Sequence, residues 1–462
     1  MMDEADDLAN GGVGVTQGRR GYRTIQSDGT FILPRHAFGV EGPIQDNVAF
    51  VAIPDPDTEG GGLMLEYLVH PVGQQIALYR VDDGSMKFLQ GRQKNVREIL
   101  ALSVSPNKRV IAVCEKGRQP GEDPGSAQVS VYHVASFKRI RTMLFPGRAD
   151  FLTCCFSGDN KWLLTIGGEP ECVLVMWNWE KEKVMSTAQV HGMATRAVFN
   201  PHKHSCFTTS GPMHLRLWST SSESVFKPHS LLPQSQEQDN FVDHTWIRGR
   251  SGQPTRMAAI TDGEGVLGQS MHAHRGASVL IFDSTDVHPF LEVKQTIQVE
   301  LPGSCRLETL VTFSKGFIVA GGGVNGFLSV YENMDDQRDP YMLIKNFTAK
   351  GSALGGLAVN RNSEMVYAYS KTNELLTFNL GNVDVLDEGE NHFHMLLPGG
   401  NHVGAVVDMS ACMMKPVVAT VGADRSLRVW NFLKWKCDVV HDFRVEDPTC
   451  VSLHPTGFQV GL

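Results

Sequence analysis

One plan recurs along this chain: an apolar alternation ends at a polar turn, a second apolar strand follows, then a glycine-containing turn, then a strand closing on an aromatic residue. LALSVSPNKRVIAVCE (100–115) leads to QVSVYHV, LTCCFSGDNKWLLTIGG (152–168) to VLVMWNW, and RAVFNPHKHSCFTTSG (196–211) to LRLWS. The same order returns in LVTFSKGFIVAGGGVNGFLSVYE, in LAVNRNSEMVYAYSKTNELLTFN and in VVDMSACMMKPVVATVGADRSLRVWN. The closing aromatics Tyr132, Trp177, Trp218, Tyr331, Phe378 and Trp430 stand roughly 40 to 50 residues apart, except across the wide gap from Trp218 to Tyr331. That gap holds a degenerate unit ending near Phe282, and an earlier weak unit ends at LEYLVHPVGQQIALYRV (65–81).

A unit of four short strands cannot bury both faces of its sheet alone, so such units stack in a ring and bury each other. The expected fold is therefore all-β, a WD40 β-propeller. About eight units are visible, and a ninth begins with VSLHPTGFQVGL, so the sequence reads as a fragment. Seven blades usually close a ring. This assigns 31–400 to a first propeller and 401–462 to the first blade or blades of a second, truncated one. Residues 1–30, glycine-rich and polar, read as a flexible arm. An eight-bladed ring, or closure by the early strand FILPRHAFGV, would move the boundary by one blade.

The bulk numbers agree with many short strands and turns. The chain has 462 residues, 46 of them glycine, and its 42% hydrophobic residues fall in short runs. No apolar run approaches the roughly 18 residues of a membrane span. The start MMDEADDLANGG is acidic where a secretory or transit peptide is basic, so the expectation is an intracellular protein with no membrane partner. Nine cysteines form no C-x-x-C pair and read as reduced core residues. A formal net charge of -8 argues against a general nucleic-acid binder. The densest basic run, FKRIRTM (137–143), reads as an alternating strand with a solvated face. Local basic clusters for the acidic surface of a filament stay open.

The residues that resemble an active site sit in TVGADRSLRVWNF (420–432). His402, Thr420, Asp424 and Trp430 fall where a WD unit carries a structural tetrad, in which a carboxylate accepts from an imidazole and a hydroxyl links that imidazole to an indole N–H. A nucleophilic triad would need the hydroxyl exposed beside an oxyanion hole, whereas Thr420 is flanked by apolar VVAT. No catalytic residue is expected. The other units lack the full set: Trp218 has Pro212 where the turn aspartate belongs, and Trp177 has the irregular acidic turn GGEPEC, so those blades are expected to be held mainly by packing.

Four further motifs read as structural, so no cofactor or metal is expected. GGGVNG (321–326) contains G-x-G-x-x-G but precedes a strand, where a pyrophosphate site needs a helix. DPDTEGGGLMLE (55–66) imitates a calcium loop but fails at Gly62 and lacks flanking helices. His272 with His274, and His392 with His394, pair imidazoles on one side of an extended segment with no further ligand in view. SPNK (105–108) matches a nucleophile string but falls in a repeated turn. The long loops GRQPGEDPGSAQ (117–128) and 228–256 are the first places to look for partner contacts.

LALSVSPNKRVIAVCE, WNWEKEKVM (177–185), DHTWI (243–247), KPVVATVGADRSLRVWN (415–431) and VSLHPTGFQVGL resemble, in order and spacing, the amino-terminal part of the cilia- and flagella-associated protein 57 family, WD-repeat proteins of motile axonemes. The resemblance runs from about Phe38 to the last residue. It implies a non-enzymatic axonemal scaffold with tandem propellers and a following coiled coil, which helps dock and regulate inner dynein arms beside the nexin-dynein regulatory complex on doublet microtubules in motile cilia. Self-association or pairing with a relative would use the coiled coil, which is not in this sequence. The family brings no catalytic motif, and its WD positions map onto His402, Thr420, Asp424 and Trp430. The alternative reading is a cytoplasmic WD-repeat adaptor of tubulin or actin regulation.

Overall fold

The structure is a computed structural model that describes residues 25–27, 30–32, 34–42, 44, 46–55, 64–89, 96–117, 127–147, 149–190, 192–220, 226–232, 239–247, 255–262, 276–284, 291–303, 305–334, 336, 338–351, 353–396 and 400–462. Its first compact unit is Met1–Pro34, in which Ile25–Ser27 pairs with Thr30–Ile32; the rest of the predicted arm, 1–30, lies outside the described residues. The second unit, Arg35–Leu462, carries everything that follows.

Four-stranded antiparallel sheets succeed one another at 49–88, 96–145, 151–189, 196–230, 241–298, 306–349 and 354–395, blades 1 to 7 in chain order. In each, consecutive strands pair with one another, so every blade is a meander built from local hairpins. The first strands, Ala49–Pro54, Val96–Val104, Phe151–Phe156, Arg196–Phe199, Phe241–Ile247, Arg306–Thr312 and Leu354–Val359, touch in that order, and the last touches the first. The ring is thus a seven-bladed β-propeller with these strands around its channel.

Burial explains where the alternation is faint. Second strands are covered on both faces by neighbouring blades, and Cys206–Gly211, Arg256–Thr261 and Gly316–Gly322 are buried at every position. Outer strands face solvent on one side, as Leu291–Gln298 does, and alternate. The closing aromatics Tyr132, Trp177, Trp218, Phe282, Tyr331 and Phe378 all lie buried on the third strand of their blades. The wide gap after Trp218 is blade 5, whose second and third strands are separated by residues 262–277.

Among the described residues, no strand of FILPRHAFGV joins a sheet of the ring. Within FILPRHAFGV, Thr30–Ile32 pairs with Ile25–Ser27, and residues 35–40 form no strand. Closure is by packing: Val40, Val48, Phe50 and Tyr79 meet Ala358, Tyr367, Tyr369 and Leu375 in one buried cluster between blades 1 and 7. A further sheet, 406–442, stands outside the ring with Ser452–Leu453 and Val460–Gly461 after it; we refer to it as blade 8.

Candidate functional site

Blade 8 brings His402, Thr420, Asp424 and Trp430 together. Trp430 Nε1–H donates to Thr420 Oγ1 at 2.7 Å, and Thr420 Oγ1 lies 2.7 Å from His402 Nε2. His402 Nδ1 is 3.0 Å from Asp424 Oδ1. The carboxylate also accepts from the N–H groups of Val403 at 2.8 Å and Ser426 at 3.2 Å, and from the Ser426 hydroxyl at 2.9 Å. Burial alone would push the Asp424 carboxyl up; the Val403 N–H, His402 and Ser426 more than offset it and hold the group below its ordinary value. Gly422 is required beneath this network, since a Cβ there would stand 2.4 Å from His402 Nδ1 and 2.5 Å from Asp424 Oδ1.

The direction of these bonds, hydroxyl to imidazole to carboxylate, is that of a hydrolytic triad. The hydroxyl differs. Thr420 Oγ1 already accepts the indole N–H, and its residue is paired with Met409 on one side and Arg428 on the other in the middle of a sheet. Its oxygen is held between the Trp430 indole and the His402 ring. What the arrangement does chemically is tie the segment before blade 8 to its second strand, its turn and its third strand.

Related networks occupy other blades, which the sequence suggested were held mainly by packing. In blade 4, Trp218 Nε1–H donates to Thr209 Oγ1 at 2.8 Å, and His214 Nε2 is 2.7 Å from the same oxygen. The imidazole comes from the hairpin after Pro212 instead of from the preceding loop. In blade 3, Trp177 Nε1–H reaches Thr165 Oγ1 at 3.0 Å. Blade 2 buries Glu115 beneath Gln128 Nε2 at 2.7 Å, the Ser130 hydroxyl and the Tyr132 hydroxyl at 3.1 Å. Blades 4 and 5 are joined by Trp246 Nε1–H on Thr208 Oγ1 at 3.0 Å and by Ser210 Oγ at 2.7 Å from His244 Nδ1. The paired threonines of CFTTSG and the histidine of PMHLRLW are the signals for these networks.

A second polar centre lies in the channel, and sequence reasoning missed it. Arg196, on the first strand of blade 4, pairs with Asp243 on the first strand of blade 5 and with Asp46, ahead of blade 1, at 2.8 Å. Blades 1 and 4 are not ring neighbours, so the Arg196–Asp46 pair spans the channel. Asp243 also accepts from the Leu310 N–H of blade 6 at 2.9 Å and from the His244 N–H at 2.7 Å. Burial pushes the Asp243 carboxyl up to about 6, against the pull of Arg196 and these N–H groups, while burial pushes the His244 imidazole down to about 3. Asn47 anchors the same segment through Nδ2 bonds to the carbonyls of Glu41 at 3.3 Å and Gly42 at 3.1 Å.

The other singled-out residues fall in structural positions or outside the described ones. GGGVNG joins Gly316–Gly322 to Gly326–Asn333 as a hairpin, and a Cβ on Gly321 would stand 2.0 Å from the Arg306 carbonyl oxygen. Ser105 is buried and its hydroxyl oxygen accepts the Val110 N–H at 3.1 Å, closing its turn. His392 Nε2 lies 2.6 Å from the Asp387 carbonyl, and His394 is exposed on a two-residue strand. Among the described residues no group of three or more histidine, cysteine, aspartate or glutamate side chains is gathered for a metal. His272, His274, most of DPDTEGGGLMLE, most of GRQPGEDPGSAQ and much of 228–256 lie outside the described residues. FKRIRTM forms most of the outer strand Lys138–Phe145, with the expected solvated positions. The nine cysteines are free, four of them buried; Cys450 is exposed, unlike the core residue expected there.

No family model matches the chain. Cilia- and flagella-associated protein 57 of Mus musculus is 25% identical to it over 92% of this chain and 35% of that protein. Cilia- and flagella-associated protein 57 C of Tetrahymena thermophila is 21% identical over 93% of this chain and 36% of that protein. The chain therefore has curated homologues of this name and spans about a third of their length. Among solved structures, a functionally unknown protein from Desulfotomaculum acetoxidans aligns with a TM-score of 0.50 at 12% identity, over 70% of this chain and 96% of that one.

Proposed function

We propose that this chain, a relative of cilia- and flagella-associated protein 57, is a non-enzymatic scaffold of the ciliary or flagellar axoneme that helps dock and regulate inner dynein arms near the nexin-dynein regulatory complex on doublet microtubules. The observation that carries the reading is the similarity over 92% of the chain to a protein of that name. The structure supports it from another side. The hydroxyl, imidazole and carboxylate groups that resemble catalytic sets are committed to one another inside blades, as at Thr420, His402 and Asp424. A ring so braced presents turns on two faces without itself having to move, which suits a docking platform.

The same reading takes blade 8 as the opening of a second propeller, with 401–462 as its start. Its first strand, Val406–Ala411, exposes Val406, Val407 and Met409, positions that the ring blades cover with a neighbour. Val451 and Leu453 already pack on Ala419, Val421 and Leu427, as the next blade would.

The test is fractionation of a cell with motile cilia that expresses the tagged full-length protein. It is expected to stay with the axoneme after detergent extraction and to crosslink to inner-arm dynein subunits. Complete release into the detergent extract, with cosedimentation on bare microtubules or actin, would replace the axonemal reading with the cytoplasmic adaptor. Labelling of Thr420 or Ser105 by a serine-reactive probe would overturn the non-enzymatic one.

A further inference from the structure

The turns between first and second strands all emerge on one face of the ring, because every blade repeats the same meander from the channel outward. Neighbouring turns touch. The Asn107 N–H donates to Asn160 Oδ1 at 3.1 Å between blades 2 and 3, and a Cβ on Gly158 of blade 3 would meet the His204 ring of blade 4 at 2.8 Å. Backbone geometry holds their shape: Lys108 and Asn160 take the left-handed conformation at φ 59° and 61°, and the Trp179 indole N–H is bonded to the Asn160 carbonyl at 2.8 Å.

In the turns between first and second strands on this braced arc, the exposed charged side chains are basic. Lys108 and Arg109 rise from blade 2, Lys161 from blade 3 with its side chain 72% exposed, and Lys203 from blade 4. Lys138 extends the arc outward at the start of the outer strand of blade 2. Among the described residues the carboxylates here are Asp159, which accepts from the Ser157 hydroxyl at 2.6 Å and lies 3.7 Å from Lys161, together with Glu180 and Glu182 on the outer turn of blade 3. Glu182 is engaged by Arg141 at 3.5 Å. On the opposite face of the same blades the described charged residues are mixed: Asp150, Glu169 and Glu171 flank the turn and loop there, and Lys116 lies 3.2 Å from Asp150. In a chain of formal net charge -8 the cations of these turns give this face a local positive field.

We infer that the turn face of blades 2 to 4 is a docking surface for an extended, glutamate- and aspartate-rich polypeptide segment. The cations are spread one turn per blade along an arc instead of converging on one point, so they match a linear chain whose charges repeat along its length. A single-stranded nucleic acid is the poorer fit. Its bases need aromatic platforms, and the aromatics of these turns, Trp179 and Phe137, are buried at 8% exposure each. The interspersed Asp159, Glu180 and Glu182 would also oppose the denser charge of a phosphate backbone. This inference rests on the arc alone and holds for a scaffold of either compartment.

The test is fluorescence anisotropy of the chain with a labelled oligo-glutamate peptide at low and at physiological salt. Binding is expected at low salt and is weakened about tenfold or more by physiological salt. The variant Lys108→Glu/Lys161→Glu/Lys203→Glu is expected to lose about tenfold or more in affinity, and Lys108→Ala/Lys161→Ala/Lys203→Ala part of it, both with unchanged unfolding temperature. Lys294→Glu/Lys350→Glu, away from the arc, is expected to bind as the parent does. Absence of binding at low salt, an equal loss in the control variant, or displacement of the peptide by oligo-dT or by phosphoinositide vesicles at lower concentration would overturn the assignment.

Discussion

Asp46 and Arg196 lie 150 residues apart in the chain and are joined at 2.8 Å across the channel of the ring. Asp46 belongs to the segment that enters blade 1, and Arg196 to the first strand of blade 4, where it also holds the buried Asp243. The pair therefore connects blades that share no sheet and no interface. It turns a ring closed by side-chain packing into one braced from within.

The two ends of this brace are unequal. Removing Arg196 leaves Asp243 buried without its cation, so Arg196→Met is expected to cost on the order of 3 to 5 kcal/mol. Asp46 is 41% exposed at its side chain, and Asp46→Asn is expected to cost about 1 kcal/mol or less. Chemical unfolding curves of the two variants give the comparison, and equal losses would contradict the inward placement of Asp243.

The network of blade 8 gives a second expectation. Asp424→Ala removes the carboxylate that accepts from the His402 imidazole, the Val403 N–H and the Ser426 hydroxyl, leaving Ser426 Oγ and His402 Nδ1 only each other at 3.0 Å, and is expected to destabilise blade 8 by about 1 to 3 kcal/mol. Hydrogen exchange should rise in 401–442 and stay unchanged in blades 2 to 5. Exchange that rises evenly across the ring would mean the network is not local.

Acid should weaken the fold through His70. Burial holds this imidazole down to about 4, the Pro71 carbonyl offsets part of that, and His36 adds to it. The unfolded chain takes up its proton near the ordinary value of 6.5 and the folded one only near 4. Stability from this group is thus complete above 6.5 and is lost as pH falls toward 4, by on the order of 3 kcal/mol at most. His70→Leu is expected to flatten the dependence of the unfolding temperature over that window; an unchanged slope would count against the burial of His70.

Gly321 tests the reading of GGGVNG. A Cβ there would stand 2.0 Å from the Arg306 carbonyl oxygen, so Gly321→Ala must push two paired strands apart. The expected cost is about 2 to 4 kcal/mol, visible as a lowered unfolding temperature, with no change in nucleotide binding measured by calorimetry. Loss of measurable nucleotide affinity without loss of stability would restore the phosphate-loop reading.

The blade plan was legible in the sequence because it is local. A hairpin needs only its turn residues and the apolar alternation beside it, and an aromatic at the end of each third strand marks where a blade needs a large buried side chain. His402, Thr420, Asp424 and Trp430 were legible for the same reason, being fixed offsets within one unit. His214 in blade 4 was not, because its imidazole reaches the threonine from an unexpected turn.

What only the tertiary structure decided is how the units meet. No period in the sequence shows that the ring closes on seven blades by packing Val48 and Phe50 against Tyr367 and Tyr369, or that FILPRHAFGV supplies no closing strand. The Asp46–Arg196–Asp243 brace has no sequence signal, since its members are ordinary charged residues at strand ends. Their partners are set by the curvature of the whole ring, and it is that curvature, accumulated blade by blade, which carries residue 46 to residue 196. The sequence by itself determined the repeating strands and the polar lock of blade 8; ring closure decided which distant charges became neighbours.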